Sequence, residues 1–405
     1  MRKPSECNEE KKNKNRFHDK SKNIILERPK YKLKILNTTE LHHQIALSML
    51  SGVGPKNARL LVAYMGSPSA IFESKANLRT SVPGFSKERF RSLNRTKALV
   101  NAEKTLRFIE KNKVSTHFFT DESYPYRLKQ CSDAPILLYS KGNPEMNPNR
   151  TVAIVGTRNM TSYGKKIIHE LIDHLKDYNV QIVSGLAYGV DNEAHRCCNR
   201  HGLSTIGVLG HGLDRIYPHR NKKTAQDMLA ASGSGLITEF PHDTLPDREN
   251  FPQRNRIVAG MTDATIVVES GAKGGSLITA HLANDYNRDV FAYPGNIDQD
   301  YSKGCNYLIA NDKAHLITKG KDLTSVLGWE KKTTSKPIQG NLFENLNGDE
   351  KKIVKLIREF EKVSLDVMSI RLKKPVSLLS GLLLGLEIKG IVMMLPGQKY
   401  MLGKI

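Results

Sequence analysis

Between Val152 and Leu327 the chain alternates short β-rich runs with longer amphipathic segments, and this pattern restricts the fold more than any other feature. The runs are Val152 to Val155, Gln181 to Val183, Thr205 to Leu209, Leu236 to Glu239, Thr265 to Glu269, Val290 to Tyr293 and His315 to Thr318. Each is followed by a stretch with helical spacing. Strands that alternate with helices build a parallel sheet through right-handed crossovers. The expected fold class is therefore α/β.

The 405 residues, 39% of them hydrophobic, supply apolar material for two or three cores, so flanking modules are expected. Residues 1–36 hold twelve Lys and Arg against five acids and little apolar material before Ile24, which reads as a basic disordered arm. Over 37–104 apolar residues recur at helical spacing (Ile45, Leu47, Leu50, Ala58, Leu61, Val62), giving a small helical module. Its Gly52-Val53-Gly54-Pro55-Lys56 turn looks like a helix-hairpin-helix turn. In such a turn Gly52 and Gly54 expose backbone amides to a DNA phosphate and Lys56 adds charge; a simple packing turn is the competing reading. A second copy at Pro83-Gly84 is more degenerate. Residues 329–345 lose periodicity and read as a linker, and 346–405 read as three helices plus a hairpin wing.

Lys and Arg total 62 against 41 Asp and Glu, a net charge of +21, which points to a polyanionic partner; an acidic protein or a membrane surface satisfies charge alone equally well. No apolar run approaches the roughly 20 residues of a spanning helix, and the N-terminus has no apolar signal core, so a cytoplasmic protein is expected. The five cysteines show no C-x-x-C spacing, which argues against a disulfide framework and a zinc site.

Ligands of open α/β sheets sit beyond the carboxyl ends of the strands. The first such loop, Gly156-Thr157-Arg158, lacks the second glycine of a dinucleotide fingerprint, and the second strand ends at Ser184-Gly185 without an acid for a ribose. No cofactor is expected. The first loop instead offers a helix N-terminus with free N–H donors beside the Arg158 guanidinium, suited to phosphate. Tyr188 is an exposed aromatic on which a base can stack. Arg254, Asn255 and Arg256 open a later helix, and one of the two arginines is expected to serve an ion pair. Lys273, Gly274, Gly275 and Ser276 form a glycine-rich strand-to-helix turn able to cradle an anion. Asp191 and His195 read as a helix-orienting carboxylate and a packed histidine, so neither a catalytic residue nor a metal site is assigned.

Over residues 120–318 these motifs resemble the DNA-processing protein A (DprA/Smf) family of bacteria. The resemblance is carried by Gly156-Thr157-Arg158, Ser184-Gly185-Leu186-Ala187, Asp191, Ala194-His195, Tyr217-Pro218, Phe251-Pro252, Arg254-Asn255-Arg256, Gly275-Ser276-Leu277-Ile278-Thr279-Ala280 and Tyr293-Pro294-Gly295. It implies an extended Rossmann-like core, here 105–328, between a SAM or helix-hairpin-helix module and a winged-helix domain. It further implies a non-enzymatic protein that binds single-stranded DNA, forms homodimers through the Rossmann core and loads a RecA-type recombinase during natural transformation and recombination. Arg158 fills the family's phosphate-clamp position, whereas Tyr188 stands where many members carry arginine.

The apolar third helix of the wing module, Ser377 to Lys389, lacks the polar side chains that read a DNA groove, so this module is expected to contact protein. A rival enzyme reading, a nucleotide-processing protein similar to the lysine-decarboxylase-like phosphoribohydrolases, requires glutamate at position 281. His281 stands there.

Overall fold

Strands that are apolar on both faces need helices on both faces, and this requirement organises the computed structural model. Residues 29–73, 82, 85, 92–331, 346–360, 362–395 and 399–402 are described. They fall into two compact units divided after Lys331.

The first unit opens with helices α1 (Pro29–Ser48), α2 (Pro55–Met65), α3 (Pro68–Glu73) and α4 (Arg95–Asn112). The expected basic arm extended to residue 36, but α1 begins at Pro29. Proline at the first helical position leaves no hydrogen bond unmade, and Lys30 to Leu36 contain no helix breaker. The rest of the arm, like the Pro83-Gly84 turn, lies outside the described residues.

Next come β1 (Ser115–Phe118), α5 (Tyr126–Lys129), β2 (Leu137–Gly142), β3 (Thr151–Val155), α6 (Ser162–Leu175), β4 (Gln181–Ser184), α7 (Val190–His201), β5 (Thr205–Val208), α8 (Lys222–Ala230) and β6 (Gly235–Thr238). The unit ends with α9 (Asn250–Gly260), β7 (Ala264–Val267), α10 (Gly275–Asp285), β8 (Asp289–Ala292), α11 (Lys303–Ala310), β9 (His315–Leu316) and α12 (Gly320–Val326).

The nine strands form one sheet in the order β1-β2-β6-β5-β4-β3-β7-β8-β9. From β6 to β9 all neighbours are parallel, while β1 and β2 add an antiparallel edge absent from the sequence expectation. Alternation along β3 divides the core. Val152 and Ile154 pack with Ile168, Leu171 and Val190 on one face. Ala153 and Val155 pack with Ile257, Val258 and Ala280 on the other. Helices α1 to α4 are not self-contained: Ile45, Leu61, Ala102 and Leu106 share a core with Phe118, Leu137 and Tyr139 of the antiparallel edge.

The second unit contains α13 (Gly348–Phe360), β10 (Val363–Ser364), α14 (Leu365–Leu372), α15 (Val376–Ile388), β11 (Val392–Leu395) and β12 (Lys399–Leu402), with strand order β10-β12-β11. Ile353, Met368, Leu379, Leu383 and Leu386 form its core. No helix among the described residues is long and apolar enough to cross a membrane.

Candidate functional site

The chain runs from β3 outward through β4, β5 and β6, then returns to place β7 on the other side of β3. Strand order therefore reverses between β3 and β7, and the loops leaving these strands diverge to open a crevice. The loop after β3 is held tightly. Thr157 N donates to Glu269 O at 2.8 Å, and Val190 N donates to Thr157 O at 3.2 Å. A Cβ on Gly156 would stand 2.5 Å from Val190 Cγ2, so only glycine fits between β7 and α7. The next residue, Arg158, is thereby turned outward, exposed, with its guanidinium 5.5 Å from the centroid of the Phe251 ring.

One expectation about this loop is corrected. The N-terminus of α6 is not an open anion site, because the buried Glu269 carboxylate already sits against it. Glu269 Oε2 accepts from Thr161 N at 2.9 Å, and Thr161 Oγ1 caps the helix by accepting from Gly164 N at 3.3 Å. The free helix start lies across the crevice at α10. Its N-cap Gly274 makes no side-chain capping bond, and open space surrounds the Cα of Gly275.

The crevice has a volume of about 1090 Å³ and brings together Gly156, Thr157, Arg158, Gly185, Arg254, Asn255 and the turn Lys273, Gly274, Gly275 and Ser276. Arg158, on the loop after β3, and Lys273, on the loop after β7, are exposed in it. Arg254 is buried at the β4 and β5 ends of the crevice, donating from Nη1 to Val208 O at 2.8 Å, while its Nε has no partner. Gly185 makes room for it, since a Cβ there would stand 1.6 Å from Arg254 Nη1. Asp191 accepts from Gly185 N at 3.1 Å and Ala187 N at 3.4 Å, which shapes the neighbouring turn. Burial raises the Asp191 carboxyl above its usual range, and Arg254 acts against that shift. Burial lowers the Arg254 guanidinium, and Asp191 opposes it in turn.

Among the expected site residues, Arg256 and Ser184 do not line this crevice, nor do Gly52, Gly54 and Lys56 of the helical module. Arg256 points away, its guanidinium bonded to Asp133 O and paired with Glu239, so it is the arginine used structurally. Ser184 is fully buried and donates to Ile154 O at 2.6 Å. Tyr188, 43% exposed, lines a small pocket with Arg158, Gly185, Tyr217, Phe251 and Arg254 of the crevice, and an adjoining groove as well. His195 is fully buried with Nδ1 2.7 Å from Thr205 Oγ1, as a packed histidine requires. Lys56 lies on a different cleft of about 460 Å³, beside Gln130, Asp133 and Arg288. Gly54 there is the N-cap of α2, and open space surrounds the Cα atoms of Gly52 and Gly54.

Sequence reading did not assign Tyr217, Arg248, Phe251 and Tyr301, which also line the crevice. The rings of Tyr217 and Phe251 stack with centroids 6.1 Å apart. The available signal was an aromatic residue directly before proline, in the loop at Tyr217-Pro218 and in the first turn of α9 at Phe251-Pro252. Among the described residues, no group of three His, Cys, Asp or Glu side chains is placed to hold a metal ion.

Fold and crevice define an α/β protein with a cationic, aromatic-lined cleft at the switch point of a mostly parallel sheet. Residues 115–328, more than half of the chain, match the model for DNA recombination-mediator protein A, and the chain belongs to that family. Protein Smf of Synechocystis is 33% identical over 295 residues, which cover 71% of this chain and 73% of that protein. DNA processing protein DprA of Streptococcus pneumoniae is 41% identical over 203 residues, 50% of this chain and 71% of that protein. The X-ray structure of DNA processing protein A from Streptococcus pneumoniae superimposes with a TM-score of 0.59 at 30% identity, covering 71% of this chain and 98% of that one.

Proposed function

We propose that the crevice binds single-stranded DNA, and that the protein protects the strand and hands it to a RecA-type recombinase in natural transformation and homologous recombination. The observation that carries this reading is the convergence of Arg158, Lys273 and the half-satisfied Arg254 on one cleft walled by Tyr217 and Phe251. Cations track phosphates and rings stack bases without regard to sequence, which is how single strands are held. We read the chain as a binding protein: Asp191 Oδ2 is taken by the backbone amides of Gly185 and Ala187, and His195 is sealed in the core.

We read residues 37–104 as a SAM or helix-hairpin-helix module and 346–405 as a winged helix that contacts protein. In support, Leu378, Leu384 and Ile388 are exposed on α15, where a duplex reader needs polar side chains. The β9 edge of the Rossmann-like sheet, with exposed Leu316, is the surface we assign to a homodimer. The test is binding of the full chain to a labelled single strand and to a duplex of equal length. We expect at least tenfold preference for the single strand and faster recombinase nucleation on the protein-bound strand. Equal or duplex-preferring binding overturns the reading.

A further inference from the structure

The crevice does not end at Arg158. The same residue lines a second groove of about 1330 Å³ that passes Tyr188 and runs between α7 and α8. Arg196 and Arg200 stand one turn apart on α7 and face it, and Arg220 and Lys223 line the opposite side. Its acids, Glu193 and Asp227, are already engaged. Glu193 is buried, with Oε2 3.2 Å from Arg196 Nη1, and with Oε1 3.2 Å from Arg200 Nη2 and 2.7 Å from His169 Nε2. Asp227 pairs with Lys223 at 2.8 Å. The carboxylate of Glu193 thus fixes two guanidinium groups while leaving their side chains about half exposed, at 55% and 52%.

A second observation says what kind of anion fits. Asn192 and Asn199 also line this groove, and the side-chain oxygen of each is buried without a hydrogen-bond partner among the described residues. An ionised carboxylate brings only acceptors and cannot satisfy them, whereas nucleobases carry N–H donors beside the phosphates.

We propose that this groove holds the continuation of the strand. A single strand leaving the crevice past Arg158 and Tyr188 lays its phosphates along Arg196, Arg200, Arg220 and Lys223 and turns base edges toward Asn192 and Asn199. The proposal rests on the single-strand reading of the crevice, and length dependence separates the two. Binding is measured with the full chain, using an oligothymidylate of about 6 nucleotides, short enough for the crevice, and one of about 20.

The double substitution Arg220→Ala with Lys223→Ala changes only exposed side chains. It should leave the short oligomer's affinity within about twofold, which also shows that the variant is folded. It should weaken the long oligomer about tenfold and make its log K against log salt slope shallower by about 1.4, two phosphates' worth. Equal affinity of variant and wild type for the long oligomer overturns the groove and leaves the crevice standing. Failure of wild type to bind either oligomer overturns both. In wild type, the long oligomer should also carry the steeper salt slope of the two.

Discussion

Replacing Arg158 by alanine tests the crevice through its counterions. Four cations line it, Arg158, Arg248, Arg254 and Lys273. If each neutralises one phosphate of a strand about 6 nucleotides long, log K falls against log salt with a slope of about −2.8, since each phosphate contributes about −0.7 on single strands. Between about 50 and 200 mM salt that slope amounts to roughly a fiftyfold loss of affinity. Arg158→Ala removes one phosphate contact and also the cation placed 5.5 Å from the Phe251 ring centroid. The slope should become about −2.1, and affinity at low salt should drop about tenfold, the lower end for a charged hydrogen bond because this side chain is exposed. Fluorescence anisotropy of a labelled oligothymidylate across a salt series reads both quantities. Lys165→Ala, on the exposed side of α6, is the control and should change neither. An unchanged slope in Arg158→Ala would refute the reasoning, because it would place the phosphates elsewhere.

Three further outcomes follow from the packing. Gly185→Ala puts a Cβ 1.6 Å from Arg254 Nη1 and must evict the guanidinium from its bond to Val208 O. We expect a stability loss of about 1–3 kcal/mol in urea unfolding together with weakened strand binding; an unperturbed variant would mean that Arg254 has a second place to go. Arg127 makes a paired contact with Asp263, at 2.6 and 3.0 Å, and donates to the carbonyls of Pro148 and Asn149. Arg127→Met leaves the part-exposed Asp263 carboxylate with only the Thr151 amide and should cost about 1–3 kcal/mol; a loss under about 0.5 kcal/mol contradicts the assignment. Burial pushes the His195 imidazole down to about 3 from 6.5, so between those values the unfolded chain binds a proton that the folded chain does not. Its contribution to stability is complete above pH 6.5 and is lost as pH falls toward 3, by up to about 1.4 kcal/mol per pH unit. Denaturant midpoints measured from pH 7.5 to 4 should fall less steeply in His195→Gln, and identical slopes would exclude this proton.

Much of the fold was legible because a fully buried parallel strand has to be a short apolar run between helices, and β3 to β8 are such runs. The antiparallel pair β1 and β2 was not, since its partners are the sheet edge and the helices α1 to α4, which no local period reveals. In the site, glycine at 156 and 185 and the cations at 158 and 273 could be placed from loop chemistry alone. The division of labour between Arg254 and Arg256 could not. Two residues apart on a helix, they point roughly 200° apart, so sequence requires that they face opposite ways.

What the sequence determined by itself was the α/β class, the position of the functional loops at the carboxyl ends of the strands, and the supply of glycines and cations in them. Only the tertiary structure decided which groups meet. Glu269 closes the α6 helix start because β7 lies against β3, and Arg254 rather than Arg256 enters the crevice because α9 packs its other side on Asp133 and Glu239. Both outcomes depend on contacts between residues far apart in the chain. Local spacing fixes which side chains a loop or helix presents, whereas burial and strand adjacency fix which of them remain free to bind.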